Sequence, residues 1–360
     1  MKAKGLLYFI LTTGECNLGC RYCGGSFPID KVPWKINYEL KLLKDFIEKD
    51  DDATIAFYGG EPLVNSKFVE EVINKINAKR YVIQTNGILI DRLREDCWNR
   101  MDAILLSIDG TQKTTDYYRG DSVYRSVIKA VEKLKRIGYQ GDLIARMAVS
   151  EQTDIYDDVM HLVGLGFFDH IHWQLDVGWS DSWVDFEGWV ERSYKQGISK
   201  LVDRWASEIS KGNVLGLVPF LGVLKRIKKG GVVPPCGSGV ESVSIMPDGK
   251  IRACPISFDA GWSVIGELDR SMEVTLHKVG IVGECIACNY LKVCGARCLY
   301  FNRERLWGNK GFETVCELTK FTIDLIESRL ESIERMVRDG EIDWDDLDYP
   351  KFNNSTEIIP

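Results

Sequence analysis

Through its first half this chain alternates short apolar runs with longer stretches whose apolar residues recur every three or four positions. The short runs, 5–12, 54–58, 81–85, 103–108, 142–149 and 169–175, are β-branched or aromatic and are predicted strands. The stretches between them, 36–49, 66–79, 91–100, 122–138 and 152–165, are predicted helices, with Phe68, Val72, Ile73 and Ile76 showing the spacing. Alternation of this kind calls for parallel strands with crossover helices, an α/β class. Six such units close most of a barrel, and an open doubly wound sheet has the same local pattern.

The polar residues fall at the ends of these strands. Cys16, Cys20 and Cys23 follow the first, Gly59-Gly60-Glu61-Pro62 the second and Thr85-Asn86-Gly87 the third. Ser107-Ile108-Asp109-Gly110 ends the fourth, Arg146 lies within the fifth, and His172, Trp173 and Gln174 lie toward the end of the sixth. In parallel α/β folds ligands bind at the carboxyl ends of strands, so these distant residues are expected to converge on one mouth.

After Asp176 the pattern changes. Trp179, Trp183 and Trp189 sit in an acidic segment, suited either to a peptide cleft or to packing of the last barrel helix. Helical spacing runs on to about residue 211, another helix is predicted at 219–229, and Gly230-Gly231 and Pro234-Pro235 mark a boundary. A hairpin follows, 241–246 and 251–254 around Pro247-Asp248-Gly249-Lys250, then a cysteine cluster and a helix over 317–338. The expected division is a barrel at 1–211, a bridge at 212–235, a cysteine-rich unit at 236–318, a helix at 319–340 and a tail at 341–360, on the surface or mobile from Trp344.

Hydrophobic residues make up 45% of the 360, enough for a substantial core. The net charge of −7 and the lack of a basic stripe argue against nucleic acid, and Lys225 to Lys229 reads as one solvated helix face. No run approaches the ~20 apolar residues that span a bilayer. The run 6–11 is too short for a signal-peptide core. Eleven cysteines clustered in such a chain read as metal or redox sites in a reducing cytoplasm, not as disulfides.

The pattern C-x3-C-x2-C of Cys16, Cys20 and Cys23 supplies one thiolate too few for a closed four-cysteine site. A four-iron cluster held by three sulfurs keeps one iron open for another ligand. With Tyr22 before the last cysteine and Gly59-Gly60-Glu61-Pro62 about 36 residues beyond it, this region resembles the radical S-adenosylmethionine (SAM) superfamily. The resemblance implies a partial (β/α)6 TIM-like barrel, with the open iron holding the amino and carboxylate groups of SAM. It implies that Gly59, Gly60 and Glu61 meet the methionine ammonium, and that Asn86, Ser107 and Arg146 hold the ribose and the methionine carboxylate. Asp109-Gly110-Thr111 and Arg119-Gly120 recur in the same family, where a turn and a surface ion pair are the plainer readings. His172 reads as a hydrogen-bonded rim or core residue in preference to a catalyst.

A second constellation is longer. Cys236 is followed by twelve residues, Gly249, four residues and Cys254, then by Cys285-x2-Cys288-x5-Cys294-x3-Cys298 and finally Cys316. These seven resemble the SPASM extension of radical SAM enzymes. That resemblance implies an outer [4Fe-4S] cluster on Cys285, Cys288, Cys294 and Cys316 and an inner one on Cys236, Cys254 and Cys298, in a small domain with a β-hairpin and a C-terminal helix. Some relatives carry a further cysteine just before the position of Cys236, and residues 225–235 have none. A zinc ribbon would prefer two close pairs or added histidines, which the odd count and four histidines fit poorly. Cys97, in a helix beside Trp98, reads as a core residue. Glu267 and Leu268 resemble a structural position between cluster ligands.

The resemblance implies reductive cleavage of SAM to a 5′-deoxyadenosyl radical and oxidation of a peptide or protein, forming a crosslink such as a thioether or carbon–carbon bond. It implies an electron donor of the flavodoxin or ferredoxin kind, and capture of the peptide by the barrel mouth, by 176–240 or by a separate recognition protein. The nearest alternative is a sulfatase-maturating enzyme, but those relatives carry an acid where Pro255 follows Cys254. An electron-transfer or scaffold protein would need neither Gly59-Gly60-Glu61-Pro62 nor SAM.

Overall fold

The computed structural model describes residues 5–178, 183–268, 274–350 and 352. Six parallel strands form its frame: β1 (Leu7–Leu11), β2 (Thr54–Tyr58), β3 (Arg80–Thr85), β4 (Ala103–Ser107), β5 (Asp142–Val149) and β6 (His170–Leu175). Between them run α1 (Leu40–Ile47), α2 (Ser66–Lys75), α3 (Glu95–Trp98), α4 (Gln112–Arg119), α5 (Val123–Arg136) and α6 (Ile155–Gly164). Strands β1 and β4 are buried on both faces, as strands are when a barrel interior lies on one side and helices on the other. The helices supply the outer packing: α5 buries Val127, Ala130, Val131 and Leu134 along one stripe.

The α/β partial barrel is therefore as the sequence implies. The spatial order is β6-β5-β4-β3-β2-β1, continued beyond β1 by three further strands. Strand β7 (Ser242–Ile245) pairs parallel to β1, so the hairpin it forms with β8 (Lys250–Arg252), continued by β9 (Val264–Glu267), extends the barrel sheet. At the other edge, Ile171 of β6 donates its N–H to Gly216 O at 2.8 Å and bridges to Leu217, which covers the exposed strand.

After β6 come α7 (Phe186–Trp189), a π-helical turn (Val190–Tyr194), α8 (Lys195–Ile209) and α9 (Val218–Lys229). The cysteine-rich part carries α10 (Leu291–Cys294), α11 (Leu299–Glu304), α12 (Gly308–Glu327) and α13 (Leu330–Arg338). The single helix expected over 317–338 is thus two helices, starting earlier and broken at Ser328 and Arg329. Helix α1 starts late because Asn37 N–H bonds Pro247 O at 2.8 Å, pinning the preceding segment to the hairpin turn.

The expected surface tail is a further correction. Ile342, Leu347 and Tyr349 are buried, and the Tyr349 ring meets His170 at 4.9 Å. Lys225 Nζ secures the turn by donating to Tyr349 O at 2.8 Å and pairing with Asp348 at 2.8 Å. His170 opens β6, so the tail closes the amino end of the barrel, away from the strand ends that carry the polar residues.

Candidate active site

The loop after β1 is held by its own backbone. Cys23 N–H and Gly24 N–H both donate to Cys20 O, at 3.1 and 2.8 Å, and Ser26 Oγ accepts from Cys16 N–H at 2.9 Å. Gly25 has φ of 101°, and a Cβ there would lie 2.4 Å from Leu18 O, so only glycine closes the turn. Cys20 is buried, Cys16 half-buried and Cys23 exposed. Burial pushes the Cys16 thiol up to about 11. A hydrogen bond between Cys20 and Cys23 divides their behaviour: it brings Cys23 down to about 7 and pushes Cys20 far up.

The second strand end locks onto this loop. Gly60 N–H donates to Thr13 O at 3.0 Å and Glu61 N–H to Glu15 O at 2.9 Å. A Cβ on Gly59 would lie 2.4 Å from Thr13 O, and one on Gly60 2.3 Å from Glu15 O. Both glycines are required for the two backbones to touch. The Glu61 carboxylate is buried and fully engaged. Oε1 accepts from Leu63 N–H at 3.0 Å and from Thr85 Oγ1 at 2.7 Å, and Oε2 accepts from Asn86 N–H at 2.8 Å. Burial raises its pKa to about 7 against the pull of those three donors.

Asn86 reaches back to the cysteine loop: its Nδ2 donates to Asn17 Oδ1 at 2.8 Å, while its Oδ1 accepts from Ile88 N–H at 3.1 Å. Asn17, inside the cysteine motif, is a participant that spacing alone does not reveal. A second anchor comes from Asp109. Its buried carboxylate takes two 2.7 Å bonds from Arg119, one of 3.1 Å from Tyr22 Oη and one of 2.9 Å from Ala148 N–H. Arg119 Cζ also lies 5.5 Å from the Tyr22 ring centre. Neither residue is a surface pair or a plain turn. Both belong to the unexpected helix α4 and its approach, which brace the cysteine loop through Tyr22 and through Arg21 N–H to Tyr118 O at 2.9 Å. The readable signal is Thr111, whose hydroxyl caps α4.

Ser107, Arg146 and His172 stand in one row across β4, β5 and β6 by strand register. Ser107 and Arg146 line the cavity described next. His172 lies a layer deeper than Gln174 and is wholly buried, the core reading of that histidine. Trp173 points outward, its ring 5.4 Å from Phe220 of α9. Trp183 and Trp189 pack with each other at 4.8 Å, Trp183 with Trp307 at 6.0 Å, and Trp179 lies outside the described residues.

These strand ends surround a cavity of about 270 Å³. Its walls include Cys16, Cys20, Cys23, Gly59, Gly60, Glu61, Asn86, Ser107 and Arg146, together with Gln174 and Asp176 from the end of β6. The cysteine-rich part adds Ile256, Arg297, Cys298, Tyr300 and Phe301 to the lining. Sequence spacing pointed to none of Asp176, Arg297 and Tyr300.

Of the seven later cysteines, Cys298 lines this cavity. Cys285, Cys288, Cys294 and Cys316 lie near enough to act on one another's charge: Cys285 feels Cys316 and Cys288, and Cys294 feels Cys316 and Cys285. Burial raises the Cys294 thiol to about 12. Cys254 and Cys298 both act on Tyr300, and Cys236 is half-buried. Among the described residues no three His, Cys, Asp or Glu side chains form the tight group that one metal ion demands. A cubic cluster sets its thiolates farther apart than a single ion does, because each binds a different iron. Cys97 is fully buried in the core.

No helix among the described residues is long and apolar enough to cross a membrane. Residues 10–163 match the sequence profile of the radical SAM superfamily. A cysteine-type anaerobic sulfatase-maturating enzyme of Clostridium novyi is 33% identical over 129 residues, 31% of this chain and 34% of that protein. Other curated relatives are likewise matched over part of their length: the chain spans 40% of the uncharacterized protein MJ0907 of Methanocaldococcus jannaschii. The fold is shared with anSMEcpe, solved with bound AdoMet and the Cp18Cys peptide, at a TM-score of 0.69 and 18% identity over 92% of this chain and 99% of that one. It is shared less fully with Streptococcus suis SuiB bound to its precursor peptide SuiA, at a TM-score of 0.53 and 15% identity over 82% and 72% of the two chains. The cysteine loop and the strand-end cavity thus stand on a frame whose residues 10–163 form a radical SAM domain.

Proposed function

We propose that this chain is a radical SAM enzyme that oxidises a peptide or protein within the cavity, joining two of the substrate's atoms in a crosslink such as a thioether or carbon–carbon bond. One observation carries this reading: the cavity that Cys16, Cys20 and Cys23 line is also lined by Cys298 of the cysteine-rich part. A radical-forming site and an electron-accepting site would face the same substrate.

Three thiols on one short loop suit a cluster with one open iron. When bound, that cluster and SAM supply a 5′-deoxyadenosyl radical, the agent that abstracts hydrogen from carbon. The chain's own residues bind and orient. The backbone at Gly59 and Gly60 supplies carbonyl acceptors for an ammonium, and Glu61 fixes that backbone by its three hydrogen bonds. Asn86, Ser107 and Arg146 face the cavity as polar groups for ribose hydroxyls and a carboxylate. Cys285, Cys288, Cys294 and Cys316 fit one auxiliary cluster, and Cys236, Cys254 and Cys298 fit a second with three protein ligands. Asp176, a carboxylate on the wall, is placed to accept a proton released by the oxidation.

The substrate class is supported by the relatives that act on proteins or are solved with peptides. Formylglycine formation is less well supported, since Pro255 stands where the maturases carry an acid. The chain is expected to work with a flavodoxin- or ferredoxin-like donor and with a substrate delivered directly or by a separate recognition protein. The test is anaerobic reconstitution with iron and sulfide, then reduction with SAM. The expected result is 5′-deoxyadenosine and, with a peptide that is a substrate, a product lighter by two hydrogen atoms. Absence of 5′-deoxyadenosine would refute the enzyme reading and favour a scaffold.

A further inference from the structure

Cys294 and Cys298 are separated by Gly295, Ala296 and Arg297, and all three have positive φ: 60°, 60° and 59°. Left-handed backbone is routine for glycine but strained for a residue with a Cβ, and such strain gathers at functional sites. The turn packs closely: a Cβ on Gly295 would lie 2.2 Å from Val233 O. It delivers Arg297 to the cavity wall with 5% of its surface exposed.

There the Arg297 Nε finds no hydrogen-bond acceptor. Among the described residues no carboxylate pairs with the guanidinium. Its neighbours are the Phe301 ring, 5.1 Å from Cζ, the Cys294 thiol and Tyr194. Arg119, on the same cavity, is by contrast gripped at two points by Asp109. A buried guanidinium cannot shed its charge by deprotonation, so it calls for an anion. Its planar fork matches a carboxylate in two parallel bonds. The net charge of −7 gives an acidic ligand no long-range attraction, so a local cation must do the recognising.

We infer that Arg297 is the receptor for a carboxylate of the substrate, either an Asp or Glu side chain or a peptide's C-terminal carboxylate. The inference rests on the peptide reading above and narrows it. It makes Arg297 a specificity determinant seated between the two groups of cysteines.

The test uses the full chain, anaerobically reconstituted, and fluorescein-labelled decapeptide pools. The pools carry internal Asp and Glu or their amides, each with a free or amidated C-terminus. Wild-type protein should bind one carboxylate arm about tenfold more tightly, the equivalent of ~1.4 kcal/mol. The arm that discriminates separates side-chain from terminal carboxylate. R297Q should lose that preference, R297K should keep part of it, and R297E should favour pools with Lys in place of the acid. Iron content and SAM affinity should match wild type in all three. Equal binding of every pool by wild type, or unchanged preference in R297Q, overturns the receptor and leaves the peptide reading standing. Binding of no pool overturns both. A variant that alters only SAM affinity or auxiliary-cluster spectra assigns the guanidinium to those groups and overturns the inference.

Discussion

Asn86 Nδ2 donates to Asn17 Oδ1 at 2.8 Å, tying the end of β3 to the stretch between Cys16 and Cys20. The bond makes Asn86 a brace for the cysteine loop, whatever it touches in the cavity. N86A also removes the acceptor for Ile88 N–H. Each substitution, N86A or N17A, should cost about 1–2 kcal/mol in chemical unfolding of the iron-free protein. The double variant should cost less than the sum, since both singles break the same bond. Additive losses would show that the amide pair is not coupled.

The Asp109–Arg119 pair is buried at 9% and 0% side-chain exposure for Arg and Asp. Removing one partner leaves the other charge stranded, a loss of roughly 3–5 kcal/mol. R119A and D109A should each destabilise the protein that strongly, whereas a paired R119M/D109L replacement should recover much of it. Because Asp109 also holds Tyr22, the paired variant should still lose iron from the first cluster faster than wild type. Equal iron retention would mean that Tyr22 does not need this anchor.

Gly60→Ala places a methyl group where only 2.3 Å separates it from Glu15 O. Neither side of the contact is a flexible side-chain tip, so the cysteine loop must move. The expected outcome is a loss of SAM cleavage of tenfold or more, on the order of 1.4 kcal/mol, with circular dichroism unchanged. Wild-type production of 5′-deoxyadenosine by G60A would refute the requirement for close approach.

Much of this site was legible because strand ends in a parallel sheet are fixed by local signals. The six strands, the cysteine triplet and Gly59-Gly60-Glu61 all sit in the sequence beside the run that positions them. The missing parts depend on tertiary partners. Helix α4 has few apolar residues, so its period is faint until Asp158 accepts from Thr111 N–H at 2.8 Å and from Thr114 Oγ1 at 2.9 Å. Residues 342–349 look polar, yet three apolar side chains among them suffice to cover the barrel's amino end. The role of Glu61 was also hidden: a motif names the carboxylate, but only the fold shows three donors already upon it.

That carboxylate gives a pH signature. Its folded pKa is raised from 4.5 to about 7 by burial. The folded state therefore holds the proton more tightly than the unfolded chain does between those values. Stability contributed by this group is present at low pH and falls as pH rises from about 4.5 to about 7, then levels. Subtracting the unfolding free energy of E61Q from that of wild type, both iron-free, should expose the slope. A difference that stays flat across this range would mean that the three donors hold Glu61 ionised in the folded state.

Asp176 and Cys298 both line the cavity, and the proposed function assigns the proton to the first and the electron to the second. If Asp176 takes the proton, D176N should lower product formation at least tenfold, ~1.4 kcal/mol in barrier, while leaving uncoupled SAM cleavage intact. C298A should do the same and also remove an auxiliary-cluster signal that D176N retains. The triple variant C16A/C20A/C23A should show the opposite pattern, with no SAM cleavage and auxiliary signals preserved. If instead C298A abolished SAM cleavage as fully as the triple variant, the two sets of cysteines would not have separate duties.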